Sequence, residues 1–438
     1  MDRLENLCVY TGVLAAGAVV AWLYELSLLL AAGFCICACC AVNRIRKYMR
    51  EDQIQEDIYH QVAAYLEQLL CSYRRLGHAG KALEDCRVIF QNDSRMGGAL
   101  ADAAHILRTG EGVPDGRILE AAFVKIERAF DSRRLGIVHR FICNAERTGG
   151  DTGRGADILL EDLELWKNRT KLYQSKKRFI KIECGVATLL SMFLCYVSKL
   201  LTPKELGFRI SDGMMYQIST IVVLVLLLYI VSCIFKKLSG NWLDEKEKVN
   251  EKQQKKYLKL YQILEKGDSV TGITKHMAKR ILGRYVREEF PYWLLLVTLY
   301  LQTESSYQAF RYSMCETTGI FRSELQRLTE EIYDSPRDLQ PYLNFFAVLN
   351  IPEIKTGMKI LYSVNSNGYE ESGKQLGFLI SQNSRLMDKN EVFRHGNKMA
   401  GMSMLKQLPM LISCLKLLLD LIQLLAMTMG SFQNMDIA

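Results

Sequence analysis

Residues 221–230, IVVLVLLLYI, form the purest apolar run in the chain, and their reading decides the rest. The charge-poor stretch around them, 215–235, matches the roughly 20 residues a helix needs to cross a hydrocarbon core. Lys236 and Lys237 close it. A second apolar stretch, 182–200, follows Lys176, Lys177, Arg178 and Lys181. The connection between the two carries Lys199, Lys204 and Arg209 against Glu205 and Asp212, so the outer flanks are the more basic. That bias predicts the connection outside and the long polar regions inside. Another span is predicted from about 407 to 430, with a tail that lacks Lys and Arg and is therefore expected outside. At the other end, residues 8–42 are apolar apart from Glu25. They read either as a hairpin of 8–24 and 26–42 turning at Glu25, or as one tilted span with a long lead.

Composition agrees with membrane spans joined by water-facing regions. The apolar fraction of 49% averages two populations, charge-poor stretches and stretches dense in Lys, Arg, Asp and Glu. The net charge of +8 sits largely at the edges of the apolar segments, as in Arg44, Arg46, Lys47 and Arg50. Such placement suits anchoring at a cytoplasmic leaflet, and the balanced charge elsewhere argues against nucleic acid as a partner. Only 7 prolines occur, which suits long helices. Of the 13 cysteines, most lie in or beside apolar stretches, while Cys71, Cys86, Cys143 and Cys315 stand alone, as in a reducing compartment. The cluster Cys35-Ile-Cys-Ala-Cys-Cys40 lacks the two-residue gaps and His partners of zinc sites, so membrane packing is preferred to a metal or lipidation site.

The predicted architecture is therefore all-α, a polytopic membrane protein with two similar cytoplasmic helical-bundle domains. Its segments are a membrane hairpin or anchor (1–42), a first helical domain (43–178), two spans with a short outside loop (179–236), a second helical domain (237–405), and a last span with its tail (406–438). Apolar residues recur at helical spacing at Val62, Leu66, Leu69, Leu70 and Tyr73, and again at Ile158, Leu160, Leu163 and Trp166. A charged helix is expected at 244–265. An approximate duplication is also visible. Tyr65-Leu66 with Ala82-Leu83 parallels Trp293-Leu294 with Ala309-Phe310, and Gly150 and Gly155 parallel Gly368 and Gly373.

This order of elements, with the stretch Phe141–Trp166 (FICNAERTGGDTGRGADILLEDLELW) and Glu289-Phe-Pro-Tyr-Trp-Leu294 before Ala309, resembles the type II secretion system F family. These are inner-membrane platform proteins of type II secretion, type IV pilus and Tad pilus machines. The resemblance spans roughly 60–430. It implies a non-enzymatic platform in the cell inner membrane that couples a secretion-type hexameric ATPase to prepilin or pilin-like subunits, as a homo-oligomer or paired with a paralogous platform protein. Membrane lipid is the remaining expected partner, and no cofactor is expected. Glu146, Gly150, Gly155, Gly368 and Gly373 are the candidate contacts.

Other chemistry finds little footing. The run GGDTGRG at 149–155 lacks the Lys-Ser/Thr pair and the preceding strand of a phosphate loop, and reads as a turn between helices. His60, His78, His105, His139, His276 and His395 show no metal-ligand spacing. Asp162 and Glu164, beside Glu161, offer carboxylates for a cation, but a solvated acidic face is preferred, because carboxylates two apart do not share a side of a helix. No nucleophile signature occurs. Lys416 and Asp420, four apart in the last span, form an intramembrane polar pair. It either locks that span to another, or to a pilin's helix, or satisfies itself while Lys416 snorkels. A transporter component and a membrane-anchored sensor or regulator are the rival functions.

Overall fold

A computed structural model describes residues 2–110, 117–149, 152–200, 213–239, 251–266, 272–302, 304–366, 378–379, 382–383, 385–387, 389, 405–426 and 428–429. The helices are α1 (Asp2–Leu23), α2 (Leu28–Leu76), α3 (Ala79–Ile89), α4 (Ser94–Thr109), α5 (Ile118–Phe130), α6 (Arg133–Thr148) and α7 (Thr152–Leu200). They continue with α8 (Met214–Leu238), α9 (Glu251–Lys266), α10 (Gly272–Tyr300), α11 (Ser306–Cys315), α12 (Gly319–Asp334), α13 (Gln340–Asn344), α14 (Pro352–Ser366) and α15 (Leu405–Ala426). Among the described residues there is no strand.

The chain divides into two compact units, each discontinuous in sequence. The first comprises Met1–Glu56, Lys171–Asn241 and His395–Ala438; the second comprises Asp57–Thr170 and Trp242–Arg394. The greater part of both polar regions thus falls within the second unit. Among the described residues, α2, α7, α8 and α15 are the helices long and apolar enough to cross a membrane, and Leu7–Leu23 is a shorter apolar helix. The stretches predicted at 182–200 and 215–235 lie on α7 and α8, and the one predicted from 407 lies on α15. The connection at 201–212 and residues 244–250 of the predicted charged helix lie outside the described residues.

In the first unit the chain reverses between α1 and α2, and Glu25 takes a left-handed backbone with φ of 50°. Lys199 holds this corner to α7, donating to the Leu23 carbonyl at 3.0 Å and pairing with Glu25 at 2.9 Å. The Tyr24 hydroxyl adds a bond to the Met192 carbonyl at 2.6 Å. Beneath these lies an apolar cluster of Tyr24, Phe34, Cys195, Val223, Leu224 and Leu227, against which Ile412 packs. Here Lys177 departs from the sequence reading. It is buried and paired with Asp52 of α2, which also accepts from Lys181 at 3.0 Å. A lysine in an apolar surround is stable only with its charge matched, so Lys177 is an internal tie between α2 and α7.

The second unit is built on the lower half of α2 and on α10. Val62, Tyr65, Leu66, Leu69, Leu70 and Tyr73 are all fully buried, the result of apolar residues recurring at helical spacing. Where α6 ends, Gly149 caps it at φ of 66°, which a side chain would strain. Gly153–Gly155 are already helical, so the glycine-rich run is mostly the first turn of α7. Gly155 is buried because the Phe141 ring of α6 lies directly over it, leaving no room for a Cβ. α10 has two working faces. Phe290, Trp293, Leu294 and Val297 enter a core drawn wholly from Tyr261–Leu379. Leu295 points the other way and shares the lining of a small void with Leu66, Leu70, Ile137 and Val138.

Candidate functional site

Two places gather polar chemistry, one in each unit. In the first, the Lys416 ammonium of α15 lies 2.7 Å from both Asp420 oxygens and 4.2 Å over the Tyr216 ring of α8. Lys416 is 0% exposed and Asp420 2%, so the lysine does not reach outward to a headgroup region. Nearby, Thr220 donates to the Tyr216 carbonyl at 2.7 Å and Ser413 to the Pro409 carbonyl at 3.0 Å, so both hydroxyls are satisfied within their helices. An ion pair four residues apart cancels its own charge, and the Tyr216 face supplies the remaining contact for the cation. The polar face of α15 is thus occupied by its own chain. Chemically this is a lock between α15 and α8.

The second place is an open cleft of about 710 Å³ in the helical unit, with α3, α5 and α6 on one wall and α10 and α11 on the other. Its floor carries a short relay. The Tyr65 hydroxyl lies 3.0 Å from His139 Nε2, and His139 Nδ1 lies 2.9 Å from Glu127 Oε1. A carboxylate can only accept, so the proton sits on Nδ1, and Tyr65 donates to Nε2. The imidazole stacks on Phe123 with centroids 4.1 Å apart. Burial pushes the His139 pKa below its ordinary range, with Glu127 opposing, and the ring is held neutral. Burial raises the Cys143 thiol to about 12, so it is no thiolate at neutral pH. Glu316 is raised by desolvation, against the pull of Arg140.

Across the cleft runs a stripe of arginines on α6, spaced seven apart and therefore on one helix face. Arg133 pairs with Glu289 at 2.9 Å and lies 4.3 Å over the Tyr292 ring. Arg140 pairs with Glu316 at 2.8 Å, and Arg147 lies 5.2 Å over Tyr312. Each reaches a residue of the later polar region. With Leu295 beside them, these contacts clasp α6 to α10 and α11. Spacing alone could have exposed the stripe, but the partners sit more than 150 residues away in sequence for Arg133 and Glu289.

The residues singled out in the sequence fall as follows. Glu146 lines the cleft and accepts from the Ala79 amide at 2.5 Å, while His78 caps the same helix start by accepting from Gly80 at 3.1 Å. It is therefore a helix cap joining α6 to α3. Gly155 is the close-approach point under Phe141. Gly150, Gly368 and Gly373 lie outside the described residues. The acidic face expected at 161–164 is corrected at Asp162, which is buried and paired with Arg134, whose guanidinium lies 4.8 Å over Trp166. Asp162 stands four residues after Ile158 and four before Trp166, so it shares their buried stripe; that spacing was the available signal. Glu161 and Glu164 remain exposed. Among the described residues no three His, Cys, Asp or Glu side chains converge as metal ligands would. No known protein family, curated protein or solved structure matches this chain.

Proposed function

We propose that the chain is a non-enzymatic inner-membrane platform of the type II secretion system F kind, with both polar regions cytoplasmic. It would dock a hexameric motor ATPase on its helical unit and hold pilin-like subunits by its spans. The observation that carries this reading is the recurrence of one local arrangement. Tyr65 and Leu66 on α2, with Ala82 and Leu83 on the short α3, are all buried; so are Trp293 and Leu294 on α10, with Ala309 and Phe310 on the short α11. Each short helix starts from a side-chain cap, His78 for α3 and Ser305 for α11. A duplicated helical module fused to membrane helices suits transmission of displacement, for which stiff helices and clasped modules suffice. The test is crosslinking in native membranes followed by capture through a C-terminal tag. Recovery of a secretion-type ATPase with prepilin-like subunits supports the platform. Recovery of a permease or signalling partner without them overturns it in favour of a transporter component or a sensor.

A further inference from the structure

Several exposed bases on the helical unit meet carboxylates. Arg74 meets Asp157 at 2.8 Å, Arg75 meets Asp85 at 2.6 Å, Lys167 meets Glu67 at 2.8 Å and Lys389 meets Glu353 at 2.6 Å. The first half of α10 instead gathers bases with no acidic residue among them. No Asp or Glu stands between Gly272 and Arg287, and among the described residues Lys275, Lys279, Arg280 and Arg284 meet no carboxylate. Apolar side chains stand among them, Met277 at 57% and Ile281 at 37% exposure. Met277, Arg280, Ile281 and Arg284 are spaced i, i+3, i+4 and i+7, which puts them on one helix face, opposite the buried Ala278, Leu282 and Val286.

Bases alternating with apolar side chains on one exposed face are the composition of a helix that rests in a lipid interface. Two occupants could match that chemistry, an acidic protein surface or anionic lipid headgroups. The chain itself favours lipid. Its membrane helices keep a bilayer permanently within tether length, so that surface is present at high effective concentration whatever else binds. Met277 and Ile281 would gain by leaving water for the acyl boundary, whereas an acidic protein patch offers them nothing. We propose that the Met277–Arg284 face of α10 docks on anionic lipid headgroups of the membrane that carries the protein. This goes beyond the platform reading and does not depend on it.

Full-length protein in lipid nanodiscs tests the proposal through the rate of peroxide oxidation of Met277, which lies on the face and is 57% exposed. Added N-acetylmethionine serves as the internal reference. In discs containing phosphatidylglycerol, Met277 is expected to oxidise roughly tenfold more slowly than in phosphatidylcholine discs. The protection is expected to vanish near 1 M salt, where the screening length falls to about 3 Å. It is also expected to vanish in an Arg280→Gln/Arg284→Gln variant that still inserts and elutes as the parent does. Equal rates in the two lipids would overturn the proposal, leaving a solvated face. Equal protection in both lipids, insensitive to salt, would also overturn it, because the cover would then be protein.

Discussion

At the residue scale, the most consequential pair is Lys416 and Asp420. Both are buried, so removing one partner leaves the other charged in an apolar surround. Asp420→Leu is expected to cost about 3 kcal/mol of stability, whereas Lys416→Met/Asp420→Leu, which removes both charges, recovers most of it. Thermal unfolding of the detergent-solubilised chain checks this, with a single variant as stable as the parent as the contrary outcome. His139 makes a prediction about pH. Its folded pKa lies below the ordinary value while the unfolded chain takes up a proton near pH 6.5, so stability is lost as pH falls through that region. Glu316, raised by desolvation, works with the opposite sign, gaining stability as pH falls. The loss in melting temperature between pH 7 and pH 5 is therefore expected to be larger in the parent than in His139→Gln. Neither the relay nor the Arg134–Asp162 pair was legible beforehand. Both depend on side chains from distant segments meeting in a core, and pattern along one helix records only which face is buried.

At the element scale, the sequence was more informative. Helical periodicity located the buried stripe of α2 and the one on α7, because a 3.6-residue repeat is written into any helix that buries one side. The apolar stretches on α7, α8 and α15 were legible for a simpler reason, since length without charge needs no partner to be recognised. What periodicity could not supply was the second face of α10. Leu295 and Tyr292 interrupt no pattern, yet with Glu289 they meet α6. The arginine stripe makes this testable. Arg133 is 32% and Arg140 41% exposed, so each contact is worth only about 0.5–1 kcal/mol. Arg133→Ala, Arg140→Ala and Arg147→Ala together are expected to speed amide exchange in α11 and the end of α10 while the interior of α2 keeps its protection. Uniform acceleration across the unit would mean that the stripe supports the fold as a whole and is no clasp.

At the scale of the whole molecule, order along the chain and order in space part company. The sequence divides naturally at the apolar stretches, yet the compact units are assembled from alternating segments, with α2 and α7 each contributing to both. A reading that follows the chain sees two polar regions as separate domains; their mutual contacts at Leu295 and along the arginine stripe are long-range and leave no local signature. This leads to a prediction about fragments. If Asp57–Thr170 and Trp242–Arg394 each carry the buried residues of their own module, they are expected to fold apart and to associate when mixed. Their junction combines one inserted leucine with a few half-exposed charges, which is the character of a small interface, so a dissociation constant on the order of micromolar is expected. Titration calorimetry measures it directly. Raising salt should weaken the complex modestly, because the arginine contacts are screened, and Leu295→Asp should abolish it, because a carboxylate would be forced among Leu66, Leu70, Ile137 and Val138. Should Leu295→Asp leave the affinity unchanged, the arginines alone would hold the modules together, and the complex should then dissolve at high salt.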